Sequence, residues 1–264
     1  MLLEIENLDV SFRNDDGVVT NAARNVCLSL DRGEVLAIVG ESGSGKSSVA
    51  MSVPRLLPSP PAFWPNGKIL FDGIDILSSP ISKMREIRAS RIGVVFQDPM
   101  GSLSPLKRTL DQLSETVLLH RDVSRSSARQ IALEWLGKVG FADPVASARA
   151  YPYELSGGMQ QRVMIAMALM LSPDLLIADE PTTALDVTIQ NDILNLMKDL
   201  RRANCAVMLI THDLGVVSAM ATKLAVMKDG VVVEKSDDPR KFFKQPIHPY
   251  SQALVNEARK MQIR

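Results

Sequence analysis

The sequence predicts an α/β fold with a mostly parallel sheet, and three observations carry that expectation. Short, continuously apolar runs recur along the chain, most of them separated by helix-length polar or amphipathic stretches. A glycine-rich loop follows the first of these runs directly. From about Ser102 to Ser172 strand signals are missing and helical patterns take over, which marks an inserted helical subdomain.

The runs Val35–Val39, Ile92–Phe96, Leu175–Ala178, Ala206–Ile210 and Leu224–Met227 read as strands. Their continuous apolarity, without alternation, suits parallel strands covered on both faces. The first third differs. Leu3 to Phe12 alternates as Leu3, Ile5 and, after a shift, Leu8, Val10 and Phe12. Cys27–Leu30 adds a short strand, and Lys68–Phe71 runs into an Asp72-Gly73 turn. These pieces predict a small N-terminal antiparallel subdomain. Inside the helical region, Ala128, Ile131, Ala132, Trp135, Leu136 and Val139 recur at helical spacing. Val226 to Val233 reads as a hairpin about Asp229-Gly230. Beyond it, a short C-terminal extension over about 236–264 opens with a helix start at Asp237-Asp238-Pro239, and Pro246-Ile247-His248-Pro249 breaks that helix.

Composition narrows the class. At 264 residues, 46% apolar and 23% charged, the chain can bury a full core as one domain. A formal net charge of zero carries no global sign of a nucleic-acid partner or an anionic membrane surface. The longest apolar stretch, Val163–Leu171, is far short of the ~20 residues a membrane-spanning helix needs. Glu4 and Glu6 follow the opening Met1-Leu2-Leu3 at once, unlike a signal peptide, so the chain reads as cytoplasmic. Cys27 and Cys205 stand alone among apolar neighbours and read as buried thiols, not as a zinc site or a cluster.

Gly40-Glu41-Ser42-Gly43-Ser44-Gly45-Lys46-Ser47 fits G-x-x-x-x-G-K-[ST] between a predicted strand and a predicted helix. The glycines allow a tight turn that aims successive N–H groups at one centre, and the helix start adds its own amides and dipole. Lys46 then reaches the β- and γ-phosphates of a nucleoside triphosphate, and Ser47 offers its hydroxyl to Mg²⁺. Ser48 completes the run. By itself this loop does not separate a transporter from a GTPase or a kinase. Leu175 to Ala178 ends in Asp179-Glu180, where a carboxylate suits Mg²⁺ and a neighbouring one suits an attacking water. A bare pair of this kind is more often a solvated turn, and the phosphate loop upstream gives it weight.

Leu155-Ser156-Gly157-Gly158-Met159-Gln160-Gln161-Arg162 makes a second anion-binding helix start. It resembles the LSGGxxQR signature of ABC-type ATPases at every fixed position. The resemblance implies a P-loop ATPase of the ABC type over essentially the whole chain, with ATP and Mg²⁺ as cofactors. It assigns Phe12 to the adenine ring, although an edge-strand core aromatic would read alike. Gln97 resembles the glutamine that touches Mg²⁺ and the attacking water. Asp179 resembles the Mg²⁺ aspartate, Glu180 the catalytic glutamate and His212 the histidine on the γ-phosphate. Ser156, Gly157, Gly158 and Asp186 are implied to complete the ATP site of a second ATPase subunit, identical or paralogous. His120 and His248 are left structural.

The branch most resembled is that of dipeptide, oligopeptide and nickel importers. It is marked by Phe96-Gln97-Asp98-Pro99-Met100, by Ala178 to Gln190 and by the tail His248-Pro249-Tyr250-Ser251-Gln252-Ala253-Leu254. Ser104 stands where that branch usually has Asn, and no cysteine follows Cys205, so no iron–sulfur cluster is expected. The implied partners are two permease subunits and, through them, a solute-binding protein, with the chain peripheral on the cytoplasmic face of the inner membrane. A nickel or metal-chelate importer is the alternative cargo. A soluble, non-transport ABC ATPase is the alternative class, but such proteins carry paired cassettes or coiled-coil insertions and this sequence shows one of each motif.

Overall fold

A computed structural model of the chain describes residues 1–181, 187–202 and 204–262. Two compact units emerge, one from residues 1–87 with those from 206 onward, the other from residues 88–205.

In the first unit, strand Leu3–Arg13 is the spine of a five-stranded sheet. It pairs antiparallel with Val19–Leu30, Ala62–Phe63 and Lys68–Phe71. Its side chains follow the predicted alternation as far as Val10. Leu3, Ile5, Leu8 and Val10 are buried, and the shift falls at Asn7, whose φ is 46°. The last of the ladder's three register shifts, between Val10 and Ser11, then departs from the expectation. It buries Ser11, whose hydroxyl bonds Asn21 Oδ1 at 2.8 Å, and turns Phe12 to a half-exposed position instead of the core face. Val19–Leu30 is much longer than the Cys27–Leu30 strand read from the sequence. Its first half is polar because it lies mostly on the solvent side, so only the ladder reveals it as a strand. Cys27 is half-buried rather than buried. Its amide-side neighbour Asn7 reaches it, with the Asn7 N–H donating to Sγ at 3.2 Å.

The same unit holds strand Val35–Val39, flanked in parallel by Ala206–Ile210 and Lys223–Lys228. Every residue of the first two is buried, as their unbroken apolar runs require. Val231–Ser236 adds antiparallel to Lys223–Lys228 across Asp229-Gly230, whose φ values of 48° and 79° are those of a tight I′-type hairpin turn. Helices Lys46–Ser52, Leu214–Met220, Pro239–Lys244 and Pro249–Gln262 cover these strands.

In the second unit, Ile92–Val95 and Leu175–Asp179 pair in parallel. Between them every helix or strand is helical: Pro99–Ser102, Thr109–His120, Arg125–Lys138, Pro144–Arg149, a short 3₁₀ turn at Pro152–Glu154, and Gly157–Leu169. Asp98, Ser124, Asp143 and Ser156 each accept a backbone N–H at a helix start. A Cβ on Gly93 would strike the Ala168 carbonyl, so helix Gly157–Leu169 lies directly on its strand. Arg91 Nε donates to Asp174 Oδ2 at 2.6 Å and joins the entrances of the two strands. Cys205 is buried, and desolvation pushes its thiol up to about 11.

The tail of the first unit is held by one carboxylate. Glu234 accepts the N–H of Ile247 at 3.0 Å and that of His248 at 2.8 Å, fixing the entry to helix Pro249–Gln262. Burial pushes Glu234 up, yet the Ile247 amide, the Ser251 hydroxyl and His248 together outweigh it and hold the carboxyl below its ordinary range. Its stabilisation is therefore complete above the unfolded glutamate pKa of ~4.3 and is lost as pH falls through the lower folded value. Glu234→Gln should cost about 1–2 kcal/mol at neutral pH. The gap to wild type should close on acidification towards about pH 3. Calorimetry across that range checks this, and a gap independent of pH would contradict it.

Candidate functional site

The first unit contributes a cradle for anions. Gly40 continues strand Val35–Val39 with φ 152°, and Gly45, at φ 93°, stands immediately before helix Lys46–Ser52. Crowding as well as backbone conformation demands glycine at both places. A Cβ on Gly40 would meet the Met227 carbonyl, and one on Gly45 would meet the Ala22 carbonyl. The loop is thus seated on two strands of its own unit. The hairpin tip helps: Gly230 N–H donates to the Ser44 carbonyl at 3.3 Å, and Arg24 N–H donates to the Gly230 carbonyl at 2.8 Å.

Lys46 is buried, at 5% exposure, and its ammonium occupies the curl of this loop. Nζ donates to the carbonyls of Gly40 and Glu41, both at 2.7 Å, and to Ser44 Oγ at 3.3 Å. Glu41, Ser42 and Gly43 are exposed along the rim, and Ser47 presents an exposed hydroxyl in the first helical turn with Ser48 half-buried behind it. Gly45 has no side chain with which to cap that helix. A positive centre, helix-start amides and a hydroxyl therefore converge as the chemistry of a polyphosphate demands. His212 is exposed just after strand Ala206–Ile210, and Asp213 caps the next helix through the N–H groups of Gly215 and Val216. His212, Gly40 and Glu41 line one cavity of about 480 Å³ with Leu254 and Glu257 of the terminal helix.

The second unit places carboxylates at a strand end. Asp179, 6% exposed, closes the wholly buried strand Leu175–Asp179. Glu180 follows with φ 46°, a left-handed conformation that costs a residue with a Cβ about 1–3 kcal/mol. Gln97, after strand Ile92–Val95, donates from Nε2 to Glu180 Oε2 at 3.1 Å. The sequence expected both residues at one reaction centre, and the structure brings these two together.

Ser156 and Gly157 are exposed at the start of the thirteen-residue helix Gly157–Leu169, and Gly158 is half-exposed. Ser156 Oγ accepts the Met159 N–H at 3.3 Å, so it is a helix cap in this structure. Gln160 pins the approach by donating to the carbonyls of Pro152 and Leu155 at 2.8 and 3.2 Å. Arg162 donates to the carbonyls of Val139 and Gly140 and pairs with Asp192 at 3.2 Å. Asp186 lies outside the described residues. Phe12 is half-exposed and free of the core face, as stacking on a ring requires. The sequence reading assigned no role to Tyr250, although its hydroxyl accepts the Glu41 N–H at 3.0 Å. The only sequence signal for it is the tail run His248 to Leu254.

Comparison with known proteins places the chain in a family. A family model described as ABC transporter matches residues 23–183. The chain is 47% identical over 255 residues to the oligopeptide transport ATP-binding protein OppD of Bacillus subtilis, spanning 96% of this chain and 71% of that protein. The dipeptide transport ATP-binding protein DppD of the same bacterium is 45% identical over 263 residues, 99% of this chain and 78% of that protein. Among solved structures, the dimeric ATP-binding cassette MJ0796, in a post-hydrolysis state bound to ADP and Pi, matches with a TM-score of 0.80. It is 30% identical, over 89% of this chain and 97% of that one. The chain belongs to the ABC transporter family.

Gly45→Ala tests whether the seat of the loop is as tight as described. The added methyl meets the Ala22 carbonyl and forces a left-handed alanine, at a cost of at least about 2 kcal/mol. Chemical denaturation should show that loss, and a variant as stable as wild type would contradict the geometry.

Proposed function

We propose that this chain is the ATP-binding and ATP-hydrolysing subunit of an importer that takes up peptides through separate permease subunits. The observation that carries the nucleotide part is the Lys46 ammonium, buried inside the glycine loop on two carbonyls at 2.7 Å. The oligopeptide and dipeptide transport relatives support the cargo, and they favour it over nickel, a metal chelate or a non-transport role. Residues 1–264 act as one ATPase domain, with a helical signature part over about 102–172 and a C-terminal extension over about 236–264.

Each residue has a stated task. Phe12 stacks on the adenine ring. Lys46, with the loop from Gly40 through Ser42, Gly43 and Ser44 to Gly45, Ser47 and Ser48, binds and neutralises the phosphates of ATP. Among the described residues no cluster of three His, Cys, Asp or Glu offers a closed metal cage. The oxygen donors Ser47, Asp179 and Gln97 instead suit Mg²⁺, which is commonly held by one or two carboxylates plus substrate phosphates. When bound, Mg²⁺ supplies charge neutralisation at the phosphates. Glu180, oriented by Gln97, polarises the attacking water, and His212 hydrogen-bonds the γ-phosphate.

The exposed start of helix Gly157–Leu169 caps a nucleotide held by a second ATPase subunit, through Ser156, Gly157 and Gly158, with Asp186 beside them. Occupied sites then hold two subunits together, and hydrolysis releases them, which is the switch passed to the permeases. A solute-binding protein delivers the peptide. No helix of the described residues is long and apolar enough to cross a membrane. The likeness to ATP-binding subunits of peptide transporters supports a peripheral place on the cytoplasmic face.

Lys46→Ala should weaken ATP binding at least about tenfold, because a charge-assisted contact to phosphate is lost. Glu180→Gln should keep ATP affinity within about twofold while turnover in the assembled complex falls about 10²- to 10⁴-fold. Equilibrium ATP titration and phosphate release from the reconstituted transporter separate the two effects. Wild-type turnover in Glu180→Gln would remove that residue from its role.

A further inference from the structure

The tail run His248 to Leu254 takes no part in the chemistry above, yet it grips the phosphate loop at one atom. The Glu41 N–H donates to Tyr250 Oη at 3.0 Å. That N–H belongs to the same peptide unit as the Gly40 carbonyl, which accepts from Lys46 Nζ at 2.7 Å. In a trans peptide the N–H and C=O point in opposite directions, so the phenol and the ammonium hold the two ends of one rigid plane. Any rotation of that plane that releases one contact also releases the other.

We propose that Tyr250 is a positioning residue for ATP binding: its hydroxyl fixes the Gly40–Glu41 peptide and so sets where the Lys46 ammonium stands. This rests on the assignment of the loop to ATP.

Tyr250 is itself tightly placed. It is 9% exposed and packs in a cluster with Ala37, Val39, Leu214, Phe242 and Val255. Lys228 Nζ lies 4.9 Å from its ring centroid. Its own N–H donates to His248 Nδ1 at 3.2 Å, and the His248 N–H is held by Glu234. Burial raises the phenol above its ordinary range, with the Glu41 carboxylate acting in the same direction against the Glu41 amide. The hydroxyl therefore stays neutral and keeps its acceptor lone pairs at physiological pH. The tail does not merely cover a strand. It carries a fixed oxygen from the end of the chain to the second residue of the loop.

Tyr250→Phe deletes this oxygen and keeps the ring. In the full-length chain, titration with ATP should give a dissociation constant raised about 3- to 10-fold, the range for one lost hydrogen bond. In a Lys46→Ala background the same change should add less than about 1.5-fold, because two residues acting through one contact are not additive. Val255→Ala serves as the packing control. It should lower the thermal midpoint by opening a small cavity and leave ATP affinity within about twofold. An unchanged affinity in Tyr250→Phe overturns the proposal, as does a full additional loss in the Lys46→Ala background, or an affinity loss in Val255→Ala equal to that of Tyr250→Phe. If the wild-type chain binds no ATP, the loop assignment fails and the role of Tyr250 fails with it. If it binds ATP and only Tyr250→Phe is silent, the loop assignment stands alone.

Discussion

Burying the ammonium of Lys46 is the constraint on which the rest of the first unit depends. A buried cation costs several kcal/mol unless oxygen atoms surround it. The loop supplies them by folding the carbonyls of Gly40 and Glu41 and the hydroxyl of Ser44 around Nζ. That curl requires backbone conformations open to glycine, and the glycines in turn allow the strands bearing Met227 and Ala22 to approach without a Cβ between them. One cation therefore sets the loop sequence, and the loop sets the spacing of the strands below it. Replacing any layer of this arrangement disturbs the next.

Four of the positions assigned to chemistry share a place in the chain: each comes just after the end of a parallel strand. Gly40 follows Val35–Val39, Gln97 follows Ile92–Val95, Glu180 follows Leu175–Asp179 and His212 follows Ala206–Ile210. Open α/β sheets place their ligands outside the carboxyl ends of strands, where the backbone leaves the core and polar groups meet water. The apolar strand thus does two jobs. It anchors the sheet, and its rigidity fixes the starting point of a polar side chain to a fraction of a residue. Glu180 adds a local constraint, since its left-handed backbone and its bond from Gln97 both restrict where the carboxylate points.

The strands with unbroken apolar runs were legible to within a residue or two, because burial on both faces leaves a simple imprint. Strand Val19–Leu30 was not, since Thr20, Asn21 and Arg24 lie on the solvent side and carry no periodic signal. The alternation alone put Phe12 on the core face, against the adenine role that the resemblance implied. Its exposure comes from a register shift between Val10 and Ser11, and a bulge is a property of the ladder, not of either strand alone. The loop, the carboxylates and the signature helix were readable because their residue types are dictated by charge and backbone conformation. The link from Glu41 to Tyr250 spans 209 residues and uses a backbone donor, so no local pattern encodes it.

The Asp229-Gly230 turn has a practical bearing on how this chain can be modified. Two-residue hairpin tips are ordinarily chosen for peptide tags, fluorescent labels or new chain ends, because they face water and touch nothing. This tip is only half in water: Asp229 is exposed, but Gly230 is buried. Its glycine bonds both Ser44 and Arg24, and the Arg24 guanidinium reaches the Asp229 carbonyl at 3.3 Å. A graft there would pry at the nucleotide cradle from below. The Asn14–Gly17 turn, exposed throughout and closed by its own Asn14 bonds to Val18, is the place for such a graft.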